Sequence, residues 1–233
     1  MTAEDFKNGQ VFLIDKPLEW TSFQVVNTIR WVIRKQFNLK KIKVGHAGTL
    51  DPLATGLLII CTGKFTKQID TYQALEKEYT GEFTLGATTP SYDLETTVNE
   101  EFSIDHITKN LLHQTTKEYL GEIEQKPPIF SALKKDGKRL YELAREGKQV
   151  EIKPRKIKIL DFEITHINIP KVQFRIVCSK GTYIRSLAHD FGKSLNSGAY
   201  LSALRRTKIG TFDVEKAKTI ENFIDQLSES ENY

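Results

Sequence analysis

The segment best suited to chemistry is Gly45-His46-Ala47-Gly48-Thr49-Leu50-Asp51-Pro52-Leu53-Ala54-Thr55-Gly56. Three glycines and a proline in twelve residues fix an unusual backbone path. No acid occurs between Glu19 and Asp51, and six bases do: Arg30, Arg34, Lys35, Lys40, Lys41 and Lys43. A carboxylate with an ordinary pKa of about 3.9 is ionised at neutral pH. In this basic setting Asp51 is a poor general acid and a candidate nucleophile. On spacing alone it could equally cap the turn before Pro52.

Other chemistries find no support. No G-x-G-x-x-G follows a strand. Gly56 to Gly63-Lys64 has the wrong spacing for a phosphate loop, with Phe65 where Ser or Thr would bind magnesium. The five histidines form no H-E-x-x-H and no zinc pairing with cysteine. There is no G-x-S-x-G elbow. No metal and no cofactor is expected.

The elements that must position the loop are legible from periodicity. Val11 to Asp15 reads as a buried strand stopped by Pro17. Thr21 or Ser22 caps a helix whose apolar face is Val25, Val26, Ile29, Val32 and Ile33. Strands are expected at Gly56–Cys61, Tyr79–Leu85, Ile157–Ile169 and Val172–Ser179. Leu201–Phe212 should be mostly extended. Helices are expected from Ile107 to about Lys117, from Gly137 to Glu146, from Thr182 as cap through Leu195, and over Ile220–Leu227. Without a strict βαβ rhythm the fold class is α+β with a mixed sheet.

The chain has 233 residues, 39% hydrophobic and 27% charged, which excludes collagen-like and wholly disordered classes. It suits a single domain over residues 1–233, with a two-lobed form left open. The longest strongly apolar run, Leu57 to Cys61, is far short of the roughly 20 residues a membrane helix needs. Cys61 and Cys178 lie far apart in apolar surroundings and read as buried thiols of a cytoplasmic protein. The net charge of +4 is small, but the charge is segregated. A second basic stretch, Lys126 to Lys158, has eleven Lys or Arg against four acids, and Ser91 to Asp105 has five acids and no Lys or Arg. Two basic runs flanking a glycine-rich loop suggest a phosphate-backbone partner, with Arg205-Arg206 as a third basic point.

These features gain meaning together. The Gly45–Gly56 loop resembles the catalytic loop of the tRNA pseudouridine synthase B family. So do Asp15-Lys16-Pro17 with Thr21-Ser22, and Lys77-Glu78-Tyr79. Further on, Gln125 to Lys134 with Gly137-Lys138, Leu140-Tyr141 and Ala144-Arg145 is similar to the family's central motif. Cys178 to Arg185, and Gly198-Ala199 through Leu204-Arg205-Arg206, resemble its last two. The blocks run in family order over residues 11 to 212.

The resemblance implies a pseudouridine synthase fold, with a mixed, mostly antiparallel sheet flanked by helices and loops. It implies isomerisation of the T-loop uridine at position 55 of tRNA to pseudouridine, by base flipping. Asp51 would be the essential carboxylate, Arg185 its partner, and Tyr79 the ring against the target base. Leu204 would line the uracil pocket, and His46 would fill the space the base leaves. Lys16 would support the site floor or meet phosphate. Lys134, Tyr141 and Arg205 would contact RNA. Family members often carry a C-terminal RNA-binding (PUA) domain, and none is expected after Phe212. The expected partner is the tRNA T arm, with no nucleotide cofactor and no membrane, and the protein acting as a monomer. Two rivals remain: a non-catalytic tRNA-binding or folding module on the same surface, and an N-glycosidase releasing uracil. The second lacks a clear carboxylate to activate water.

Overall fold

Thr21 starts the first long helix for a local reason. Its hydroxyl accepts from the backbone N–H of Gln24, and the Gln24 side chain accepts from the N–H of Thr21, a reciprocal capping box. In the computed structural model, which describes residues 1–131, 133–135, 137–146 and 150–229, that helix spans Ser22–Gln36. The side chains of residues 134, 135, 138, 139, 141, 145 and 229 lie outside the description. Helices are labelled α1 (Ala3–Asn8), α2 (Ser22–Gln36), α3 (Ile69–Ala74), α4 (Lys109–Glu118), α5 (Leu140–Arg145), α6 (Ile184–Ser194) and α7 (Ile220–Glu229). The longer strands are β1 (Val11–Lys16), β2 (Val44–His46), β3 (Ala54–Thr62), β4 (Lys77–Leu85), β5 (Gly121–Gln125), β6 (Arg155–Asn168), β7 (Lys171–Cys178) and β8 (Ala199–Ile209).

The chain forms two compact units, residues 1–79 with 204–233, and residues 80–203. In the first, β3 is the central strand. It pairs antiparallel with β1 and β2 and parallel with the end of β8. The run Leu57 to Cys61 is apolar because both its faces are covered. Leu58 and Ile60 pack with the inward face of α2 and with Phe223 and Leu227 of α7. Leu57, Ile59 and Cys61 pack with Ile209 and Val214. In the second unit β7 pairs antiparallel with β6, and β6 with β5. Phe83, Phe162, Phe174 and Phe191 form an aromatic core there, with Phe83 and Phe174 centroids 4.2 Å apart. The α+β class agrees with the periodicity, and the mixed, mostly antiparallel sheet agrees with what the family resemblance implies.

Several boundaries differ from expectation. Thr182 does not cap α6. Its hydroxyl donates to Ser179 O, and Tyr183 stands at the cap without a side-chain bond. Helices α1 and α3 and strands β2 and β5 are too short for periodicity to reveal. No helix among the described residues is long and apolar enough to cross a membrane.

One rung fixes the geometry beneath the loop. Gly56 pairs with Lys16 of β1 on one side and Arg206 of β8 on the other. Its φ of +102° lies in the region that favours glycine. A Cβ there would sit 2.8 Å from the Arg206 nitrogen and closer still to its carbonyl oxygen. Gly56→Ala is therefore expected to cost roughly 2–3 kcal/mol of stability in urea unfolding. A change below about 0.5 kcal/mol would show that the rung can open.

Candidate active site

The loop carrying Asp51 is a hairpin connection. His46 pairs with Ile60, and Ala47 N–H donates to Ile59 O at 2.9 Å. Residues 47–53 then return into β3, and Ala54 N–H donates to Asp51 O at 3.1 Å. Such a loop would be mobile if held only at its ends. It is held at every second residue.

Gly48 O accepts from Nη2 of Arg206 at 3.0 Å, and the same guanidinium donates from Nε to Leu57 O at 2.8 Å. Leu50 is tied through both backbone groups to Ser22. Its N–H donates to the Ser22 hydroxyl at 2.9 Å, and that hydroxyl donates to Leu50 O at 3.1 Å. Pro52 O accepts from Glu19 N–H at 2.8 Å and from Lys16 Nζ at 3.4 Å. Lys16 Nζ also donates to Pro17 O at 2.9 Å and Trp20 O at 2.6 Å. The residues before and after Asp51 are thus fixed to α2 and to the end of β1. That is the preorganisation a reacting carboxylate needs.

The fastening groups are themselves buried. Lys16 is 0% exposed, Arg206 1% and Ser22 2%. Two buried cations under one loop would be unfavourable without an anion. Burial lowers the Lys16 pKa to about 8, Asp51 opposes that shift, and Arg206 adds to it. By the same attraction the carboxylate of Asp51 sits in a positive field. The His46 pKa is lowered, first by burial and then by Arg206, so its ring is neutral at physiological pH and can stack or hydrogen-bond as an uncharged imidazole.

Lys16, expected at the floor of the site or against phosphate, has no exposed surface and holds three carbonyls. Arg205-Arg206 is not a third surface basic point as a pair, because Arg206 is buried. Arg205 is half-exposed and makes a two-toothed pair with Asp15 at 2.7 and 3.0 Å. Leu204 is half-buried and pairs with Ala54, one strand from the loop. Tyr79 is buried in β4, next to Glu78, whose carboxylate accepts from Thr207 Oγ1 at 2.8 Å. The side chains of Lys134 and Tyr141 lie outside the described residues.

Arg185 belongs to the second unit, in the first turn of α6, and is 4% exposed. Its Nη1 lies 3.4 Å from Asp93 Oδ2 and 3.3 Å from Ser91 O, and its Nη2 donates to Phe130 O at 2.9 Å. Asp93 is also buried, and its Oδ1 accepts from Glu95 N–H at 2.9 Å. Tyr92, at φ +64°, stacks on His189 of α6 at 3.9 Å. Turn 91–93 therefore grips α6 at two points about one turn apart. Asp93 and Arg206 are the site residues that sequence reasoning missed. The acidic stretch in a basic chain was the one signal for Asp93, and it could not single out which acid.

A family model described as "TruB family pseudouridylate synthase (N terminal domain)" matches residues 34–184, and one described as "tRNA pseudouridylate synthase B C-terminal domain" matches residues 185–233. The chain belongs to the TruB family. It is 61% identical to the tRNA pseudouridine synthase B of Flavobacterium johnsoniae, over 97% of this chain and 100% of that one. It is 52% identical to the protein of that name from Phocaeicola vulgatus, over 97% of each. A chain of the crystal structure of a Cbf5-Nop10-Gar1 complex matches with a TM-score of 0.73 and 30% identity, over 100% of this chain and 59% of that one. The structure of an H/ACA RNP bound to a substrate RNA containing 2'-deoxyuridine gives 0.69 and 28%, over 98% and 56%. The present chain thus spans just over half the length of those two structural relatives. The TruB fold expected from the motifs is the fold found.

Lys16 yields a pH test. Between its folded pKa of about 8 and its unfolded value near 10.5, the unfolded chain holds a proton that the folded one has released. Stability contributed at this position therefore rises as pH rises through that window. The unfolding free energy of the parent minus that of Lys16→Met should grow from pH 8 to pH 10. A constant difference would mean that Lys16 does not titrate there.

Proposed function

We propose that this TruB-family protein isomerises the T-loop uridine at position 55 of tRNA to pseudouridine. The observation that carries the reading is Asp51, on a loop fastened on both sides by Ser22, Lys16 and Arg206. The N1–C1′ bond breaks, the uracil turns, and a C5–C1′ bond forms. C5 gives up its proton and N1 gains one, so no redox partner or group donor is consumed. A single ionised carboxylate in a water-poor site is enough to start such a reaction.

The uridine must leave its stack, at a cost of a few kcal/mol. In this reading neutral His46 takes part of the vacated space. Tyr79 lies against the extruded ring and relays a proton, and Leu204 lines its pocket. Arg185, aimed by Asp93, pairs with Asp51. The basic stretches, with Lys134, Tyr141 and Arg205, hold the RNA backbone. The protein works as a monomer in the cytoplasm, on one catalytic domain over residues 1–233.

The test is tritium release from C5-labelled uridine in a T-arm stem-loop. The parent should release it and Asp51→Asn should not, while RNA binding is kept. Tyr79→Phe should bind RNA and turn over poorly. Binding without release by the parent would establish a non-catalytic RNA module instead, and free uracil would establish a glycosidase. RNA affinity should also fall steeply with salt, by at least about tenfold between 50 and 200 mM. An affinity indifferent to salt would overturn the phosphate-contact reading.

A further inference from the structure

Helix α2 buries one face and leaves Phe23, Trp31, Arg34 and Lys35 of the other exposed. Its buried face is the apolar stripe from Val25 to Ile33. On the outer face, Phe23, Asn27, Trp31, Arg34 and Lys35 recur at spacings of three and four and so lie side by side. Phe23 is 63% exposed and Trp31 60%. Two large rings in water on one helix face lose the benefit that burial of each would bring. The face is also cationic. Lys35 Nζ sits 5.0 Å from the centroid of Trp31. Arg34, Lys35, Lys40, Lys41 and Lys43 are all exposed, and no acid occurs anywhere in α2 or in the segment to Leu50.

Stackable rings interleaved with cations, and no acids, fit a polyanion with flat apolar faces. A protein partner would be expected to meet some acids of its own among these bases, or a face free of charge. The surface is also placed for RNA held at Asp51. Helix α2 begins at Ser22, the residue tied to Leu50, and its 15 residues run about 22 Å away from the loop. Phe23 and Trp31 are about 12 Å apart along that axis, room for more than one base step.

We propose that the outer face of α2 is a second RNA-binding surface. It takes unpaired nucleotides of the substrate tRNA from outside the T arm, stacked on Phe23 and Trp31, with Arg34 and Lys35 on the adjoining phosphates. Bases must be unpaired because only an open base face can stack on a side chain. The proposal rests on the tRNA reading above and adds a surface to it.

The experiment is equilibrium binding, by fluorescence anisotropy, of full-length tRNA and of the isolated T-arm stem-loop to three proteins: parent, Phe23→Ala with Trp31→Ala, and Arg34→Glu with Lys35→Glu. Each double variant should lose tenfold or more in affinity for full-length tRNA, since one base stack is worth about 1–3 kcal/mol. The Phe23→Ala with Trp31→Ala variant should bind the stem-loop within twofold of the parent and release tritium from it at the parent's rate. Unchanged affinity of both variants for full-length tRNA overturns the proposal. So does an equal loss on the stem-loop by the ring variant, which would place the face in the T-arm site. Unchanged tRNA binding together with loss of a self-association peak in sedimentation would make the face a contact between copies of this chain. Binding is read without catalysis, so failure of the isomerase assay sinks the proposed reaction and leaves this measurement standing.

Discussion

The geometry of the loop that carries Asp51 depends on backbone carbonyls captured by two buried cations. Lys16 and Arg206 stand on either side of Gly56 and reach the loop at Pro52 and Gly48. Peptide carbonyls in a loop ordinarily bond to water. Here they bond to side chains that cannot move without leaving a buried charge unsatisfied. The loop is therefore rigid because leaving its conformation would strand an ammonium and a guanidinium in the interior. The same two charges then place the carboxylate of Asp51 in a positive field. One arrangement thus supplies both positioning and electrostatics, which accounts for polar groups in so apolar a part of the chain.

A comparable device serves the second unit. Arg185 is buried on a helix whose neighbours Ile184, Leu187 and Ala188 are core residues. The Asp93 carboxylate and the carbonyls of Ser91 and Phe130, from segments distant in sequence, meet its guanidinium. A planar, permanently charged fork suits such a mixed set of acceptors better than an ammonium does. In each unit, an arginine that periodicity alone would assign to the surface carries a structural bond network.

Much of the scaffold was legible in the residues. The inward face of α2, the run Leu57–Cys61 and the face of α6 were each spelled by apolar spacing, because burial selects side chains directly. Asp51 stood out through its isolation among bases. What stayed hidden was pairwise. No spacing rule connects Arg206 with Gly48 or Arg185 with Asp93, since the partners are 158 and 92 positions apart and meet only through the sheet and the turns. Gly56 was expected at the start of a strand, and it lies in one, but spacing could not show that it is the residue that lets β8 approach β3. The exposed rings of Phe23 and Trp31 were also invisible, because sequence spacing does not reveal which face of a helix will lack a neighbour.

The first unit is built from two ends of the chain, residues 1–79 and 204–233. During synthesis on the ribosome, Asp51 and its loop emerge early, while the arginine that fastens Gly48 and Leu57 arrives only after residues 80–203 have been made. The parallel strand that completes the unit is then among the last pieces to be inserted. Until residue 206 has been made, Gly48 and Leu57 lack the guanidinium that fastens them, so the final conformation of the loop depends on chain synthesised long after it.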